Sequence, residues 1–136
     1  MLITQENKNL LLKDLCARVP YGVKCAIFDD TLPFGGAHGG DFKMDGITIE
    51  EIGIDVWLEK GSFNFDTIKP YLRPMSSMTE EEVKEYKKTC EYSENDEFFY
   101  PTFKTCDWLN AHYFDYRGLI GKGLALKAPE GMYKTE

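Results

Sequence analysis

Apolar residues recur along this chain with two different periods, and the switches between them mark out its elements. Over residues 7–18 the period is helical. Leu11, Leu15 and Val19 form one stripe, Leu12 and Cys16 lie beside it, and Lys8, Lys13 and Arg18 fall on the side expected to face water. Pro20 ends this helix, because the residue before a proline is pushed out of the helical region. Over 23–28 the period drops to two, with Val23, Cys25 and Ile27 on one face and Lys24, Ala26 and Phe28 on the other. The strongest alternation covers 47–58. Ile47 and Ile49 alternate, then Ile52, Ile54, Val56 and Leu58 do so in the opposite phase, with Trp57 on the other face. The phase slips at Glu50-Glu51, which predicts either a turn between two strands or a bulge near Gly53. Phe63 and Phe65 begin a further short strand. Pro70 and Pro74 then forbid a regular helix over 66–78 and predict a 3₁₀ turn with an extended crossing, anchored by Tyr71, Leu72 and Met75.

The helical period returns at Thr79. Thr79 and Glu82 have the spacing of a capping box, Met78 and Val83 that of the accompanying staple, and Glu80, Glu81 and Glu82 fill a first turn where the helix dipole favours negative charge. Of the two box residues, Glu82 is expected to matter less to stability than Thr79. The helix should run to about Glu91 with a narrow stripe of Val83, Tyr86 and Cys90. A loop over 93–97 leads to the aromatic run 98–103. The largest apolar face follows, with Leu109, Tyr113 and Tyr116 at helical spacing and Trp108 and His112 beside them. This helix, capped by Thr105 or Asp107, is expected to be what the rest of the chain packs against. Asp115 would cap a second short helix through Ile120, ended by Gly121 or Gly123, and residues 124–126 would add a last strand. The expected fold class is α+β: a small antiparallel sheet or half-open barrel, with an N-terminal helix before the sheet and further helices after it. One domain covers 1–136, β-rich over about 21–75 and helical over about 79–123.

Composition adds bounds to this picture. Hydrophobic residues make up 43% of the 136 and aromatics 14%, enough for a core, so disorder is not expected. The net charge is −7, and residues 76–100 hold eight acids against three lysines. No basic footprint for nucleic acid stands out, and acidity disfavours an anionic membrane. No run reaches the roughly 18 apolar residues of a membrane span. The first residues lack a basic segment followed by an apolar one, which predicts a cytoplasmic protein. The four cysteines, Cys16, Cys25, Cys90 and Cys106, have no metal-ligand spacing and are expected to be reduced, mostly buried thiols. No metal and no cofactor is expected.

Candidate functional residues fall in three places. The loop 35–40 sets four glycines around His38, with Asp41 next to it. It lacks the Lys-Ser/Thr of a P-loop and the helix of a dinucleotide fingerprint, so a flexible hairpin loop is the plain reading. Phe98, Phe99 and Tyr100 stand beside acidic residues, as core aromatics or as a docking segment. His112, Asp115 and Arg117 form a candidate polar site.

Two stretches carry a resemblance. Residues 69–82, KPYLRPMSSMTEEE, and 107–120, DWLNAHYFDYRGLI, resemble a family of uncharacterised proteins of gut bacteria, often found in prophages and other mobile elements. Residues 14–23 and 123–133 resemble the same group, and together the segments cover about half of the chain. The glycine loop and its neighbouring strands depart from the family, and Gly121 stands where an acidic residue often occurs. The resemblance implies a phage-like setting and no activity.

Three functions remain in view. The leading one is a non-enzymatic module that binds another protein, through the glycine loop or the region 98–103. A nucleic-acid-associated protein, with a helix-turn-helix around Phe114-Asp115, or an acidic mimic of nucleic acid, is the second. A small enzyme using His38, His112, Asp107, Asp115 or a cysteine is the third, although no triad, paired-carboxylate or metal spacing is present.

Overall fold

Helix α1 (Gln5–Arg18) begins at Thr4, whose hydroxyl accepts the Asn7 amide at 3.1 Å. The computed structural model describes residues 4–28, 39–50, 53–58 and 61–133, with the backbone alone described at 39–41, 50 and 66. Leu11 and Leu15 of α1 are buried as their spacing requires. Arg18 does not face water, however: it is fully buried together with Asp14 one turn earlier. Helical periodicity read from apolar residues alone missed this, because paired charges can occupy the inward face. Cys16 is exposed rather than set beside the buried stripe, and Cys106 is exposed too.

Strand β1 (Lys24–Ile27) lies at the middle of the sheet. On one side it pairs antiparallel with β2 (Gly39–Glu50), which pairs with β3 (Gly53–Leu58), which pairs with β4 (Gly61–Asn64). On the other side it pairs antiparallel with β5 (Ile68–Pro74). The phase slip at Glu50-Glu51 separates two strands, with Ile49 opposite Ile54 and Glu50 opposite Gly53. The irregularity within β2 falls instead between Met44 and Gly46. Val56 and Leu58 are buried and Trp57 exposed, as alternation demands.

The proline-containing connector is a sheet strand. In β5, Ile68, Pro70 and Leu72 turn inward, while Pro70 lies opposite Cys25 in the pairing with β1. A 3₁₀ turn precedes the strand and another follows it. Two short strands, β8 (Phe114–Asp115) and β9 (Leu126–Lys127), add in parallel to β5. The result is an α+β fold with an open, mostly antiparallel sheet; no closed barrel forms among the described residues.

After the sheet come α2 (Glu80–Thr89) and α3 (Phe103–Ala111), joined by a hairpin of β6 (Glu91–Ser93) and β7 (Phe98–Tyr100) that belongs to no other sheet. The capping box of Thr79 and Glu82 is formed. Helix α3 starts earlier than its sequence suggests, capped by Thr102 with Thr105 at the third helical position. It ends at His112 because Tyr113 takes a left-handed conformation, φ 63°, rare for a residue with a side chain. Among the described residues no helix follows Asp115; residues 119–124 form turns instead, so the short helix expected there, and with it the alternative of a helix-turn-helix, is not built.

The main hydrophobic cluster joins Leu11 and Leu15 of α1 to Val23, Cys25, Ile27, Met44, Val56, Leu58, Ile68 and Leu72 of the sheet, and to Leu119, Leu124 and Ala125. Leu109 of α3 is buried but stands outside this cluster. The centre of the fold is therefore α1 on the sheet, not the C-terminal helix. Among the described residues no helix is long and apolar enough to cross a membrane.

Candidate functional site

The hairpin between α2 and α3 is built on a rigid base. At the end of α2 the Thr89 carbonyl accepts two hydroxyls from the start of α3, Thr102 Oγ1 at 2.8 Å and Thr105 Oγ1 at 2.9 Å. Thr105 Oγ1 also accepts the Thr102 amide at 2.9 Å. These bonds close the loop that carries the hairpin, so β6 and β7 leave the body from a fixed point. Glu97, with φ 52°, completes the four-residue turn between them.

The ladder pairs Glu91 with Tyr100, Tyr92 with Phe99 and Ser93 with Phe98. Alternation then sorts the side chains onto two faces. Tyr92 and Phe99 share one face with ring centres 4.8 Å apart, and the Lys87 ammonium of α2 sits over Phe99 at 5.3 Å. Phe98 and Tyr100 share the other, 4.9 Å apart and nearly perpendicular. The Tyr100 hydroxyl donates to Asp96 at 2.6 Å, which raises the pKa of that phenol. Relative exposure is 54% for Phe98, 44% for Tyr100, 52% for Tyr92 and 91% for Phe103, so four aromatics of one small region are largely in water. Of the sequence candidates, Phe98 and Tyr100 are exposed and Phe99 half-buried. Tyr92 was missed, because the acidic turn that separates it from Phe98 hid the strand pairing. His38 lies outside the described residues, and Asp41 is described only as backbone in β2.

A concave region lies where β5, the start of α2 and residues 127–133 meet. This open cleft of about 640 Å³ is lined by Arg73, Glu82, His112, Lys127, Glu130 and Tyr133 among others. Arg73 grips Glu82 through two hydrogen bonds, 2.7 and 2.8 Å, and lies over the Phe114 ring at 4.1 Å. Glu82 also accepts the Thr79 amide at 3.1 Å, so one carboxylate caps α2 and ties it to β5. The Arg73 guanidinium is the main reason that the Glu82 carboxyl titrates below its ordinary range. His112 stacks on Trp108 at 4.2 Å, and its Nδ1 lies 2.9 Å from the Trp108 carbonyl. A carbonyl only accepts, so Nδ1 carries a proton in this contact. Tyr133 stacks on Tyr113 at 3.8 Å, and its hydroxyl accepts the Lys24 amide and donates to the Tyr71 carbonyl. Burial pushes that phenol far up.

His112, Asp115 and Arg117 do not converge. The Asp115 carboxylate accepts the amides of Leu119 at 2.8 Å and Ile120 at 3.0 Å, serving as a cap for a turn. Arg117 reaches Asp14 at 3.1 Å and the Tyr116 hydroxyl at 2.9 Å. Asp14 in turn takes both Nε and Nη2 of Arg18, and Arg18 Nη2 donates to the Phe114 carbonyl at 2.7 Å. Arg18 Nη1 alone has no partner among the described residues. This cluster welds α1 to the C-terminal turns. Beside it, burial and then the Asp14 charge push the Cys25 thiol far up, so that thiol is inert. Among the described residues no group of three or more His, Cys, Asp or Glu is placed to hold a metal ion.

Comparison of the chain with protein-family models, with curated proteins and with solved structures finds no match in any of the three.

Proposed function

We propose that this protein is a non-enzymatic interaction module whose docking surface is the aromatic hairpin over β6 and β7, with Phe103 beside it. The observation that carries this reading is the exposure of Tyr92, Phe98, Tyr100 and Phe103 on a base fixed by the two threonine bonds to Thr89. Large aromatics left in water contribute little to folding, whereas they dominate the energy of an interface when a partner covers them. A pre-formed hairpin also loses little conformational freedom on binding. The partner is another protein, and the resemblance, with the phage-like setting it implies, supports one from a mobile element or its host. The catalytic alternative has less support: Asp115 caps a turn and Arg117 serves the Asp14 cluster, so neither stands beside His112.

The test uses a photo-crosslinking phenylalanine at position 98 and, as a control, at the exposed Ser62 of β4. One discrete protein crosslinked from position 98 and not from 62, and lost when Tyr100 and Phe103 are also changed to Ser, is the expected outcome. Equal crosslinking from both positions, or a partner that survives the serine changes, contradicts the reading.

A further inference from the structure

We infer that the Phe98–Tyr100 face of the hairpin receives a lysine or arginine side chain from an extended segment of the partner protein, an inference that rests on the docking role proposed above. The hairpin has two aromatic pairs, back to back, and among the described residues only one has a cation over it. On the Tyr92–Phe99 face, the Lys87 ammonium lies 5.3 Å from the Phe99 centre. On the other face Phe98 and Tyr100 stand 4.9 Å apart with their planes at 65°, and among the described residues no cation is placed over either ring. The face of an aromatic ring is its negative side and the edge its positive side, so a positive charge is drawn to whichever face of these exposed rings the neighbouring ring leaves open.

The surrounding charge has the same sign of preference. Glu91 lies opposite Tyr100 in the ladder, and Asp96 holds the Tyr100 hydroxyl at 2.6 Å. The segment 76–100 as a whole carries five more acids than lysines. A cation that reached the ring pair would therefore meet carboxylates at its rim, while an acidic segment would be repelled. The apolar stem of a lysine or arginine matches the exposed ring surfaces, and the charged head matches the rim. Lys87 shows within this chain how that arrangement is filled on the opposite face.

The test needs no knowledge of the natural partner. A 12-residue peptide alternating lysine and serine is titrated into the intact chain, with binding read from the amide resonances of 91–100. Its acetyl-lysine and norleucine counterparts are titrated in parallel. The lysine peptide should shift Phe98 and Tyr100 above all, and should bind at least fivefold more tightly than either uncharged counterpart. The Phe98→Leu/Tyr100→Leu chain keeps apolar surface but has no π-face, and should lose that preference; Glu91→Gln should weaken it while leaving both rings. An uncharged peptide that binds as well, a leucine variant that keeps the preference, shifts centred on 80–85, or no binding of the lysine peptide overturns the inference. The docking reading fails separately, if the crosslinked partner survives the serine changes. Unchanged melting of each variant guards against loss of fold.

Discussion

Two regions of this molecule invert the usual rule of charges outside and aromatics inside. At one end, Asp14 and Arg18 are fully buried, with Arg117 joining them. At the other, Phe98, Tyr100 and Phe103 stand in water. The difference lies in what surrounds each group. The buried Asp14 carboxylate has three donors from two arginines, and Arg18 adds a backbone carbonyl, so desolvation is offset by charge-assisted bonds. Phe98 and Tyr100 meet each other but stay largely exposed, as does Phe103. The first region holds the fold together; the second is spare surface.

The largest expected effect comes from breaking the first region. Asp14→Ala leaves Arg18 buried with, among the described residues, the Phe114 carbonyl as its one hydrogen-bond acceptor and the Tyr116 ring 5.5 Å away, and should cost about 3–5 kcal/mol in a urea unfolding experiment. A paired Asp14→Leu/Arg18→Met change should cost far less, because no lone charge is left inside. If the single and double variants are equally destabilised, the cluster matters through shape and not through charge.

Trp108 lies between the two extremes, half-buried, with His112 stacked at 4.2 Å and Phe114 at 5.7 Å. Trp108→Ala should cost about 2–3 kcal/mol, below the roughly 3–5 of a fully buried aromatic. A loss under 0.5 kcal/mol would place Trp108 with the hairpin residues as free surface.

The Arg73–Glu82 pair sharpens the comparison through pH. Glu82 titrates below its ordinary value of 4.5 in the folded protein, so its stabilisation is present above that value. It is lost as pH falls through the lower, folded-state value, because the unfolded chain then binds the proton more readily. Glu82→Ala should cost about 1–2 kcal/mol at neutral pH, reduced by its partial exposure, and should flatten the acid limb of the stability profile. Because Glu82 serves Arg73 as well as the cap, it should now exceed Thr79→Ala, expected at about 1 kcal/mol. Unfolding measured from pH 7 to pH 3 in both variants decides the order.

Local signals in the sequence were legible where one element carries them. The alternation of Val56, Trp57 and Leu58, the slip between the two strands and the Thr79–Glu82 box all act within a few residues, and all are present. What escaped depends on contacts far apart in the chain. Arg18 looks solvent-facing until Phe114, 96 residues later, brings its carbonyl to it. The stripe Leu109, Tyr113, Tyr116 looks like one helix face, but Tyr113 leaves the helix, its hydroxyl donating to the Tyr21 carbonyl and its ring stacking on Tyr133. Pro70 and Pro74 suggested an extended connector anchored on the sheet, while pairing with β1, β8 and β9 makes this stretch a strand of it. Of the candidate sites, the aromatic run was visible as composition, but its exposure followed only from the hairpin.

The most direct measurement takes the Tyr100→Ser/Phe103→Ser chain, with the photo-crosslinking phenylalanine kept at position 98, and reads unfolding and partner binding on one preparation. The expected result is an unfolding free energy within about 0.5 kcal/mol of the parent, as for surface positions, together with loss of the crosslinked partner. A drop of 2 kcal/mol or more, which is about the cost of emptying a core position, or full retention of the partner, would contradict the assignment of this hairpin as the docking surface.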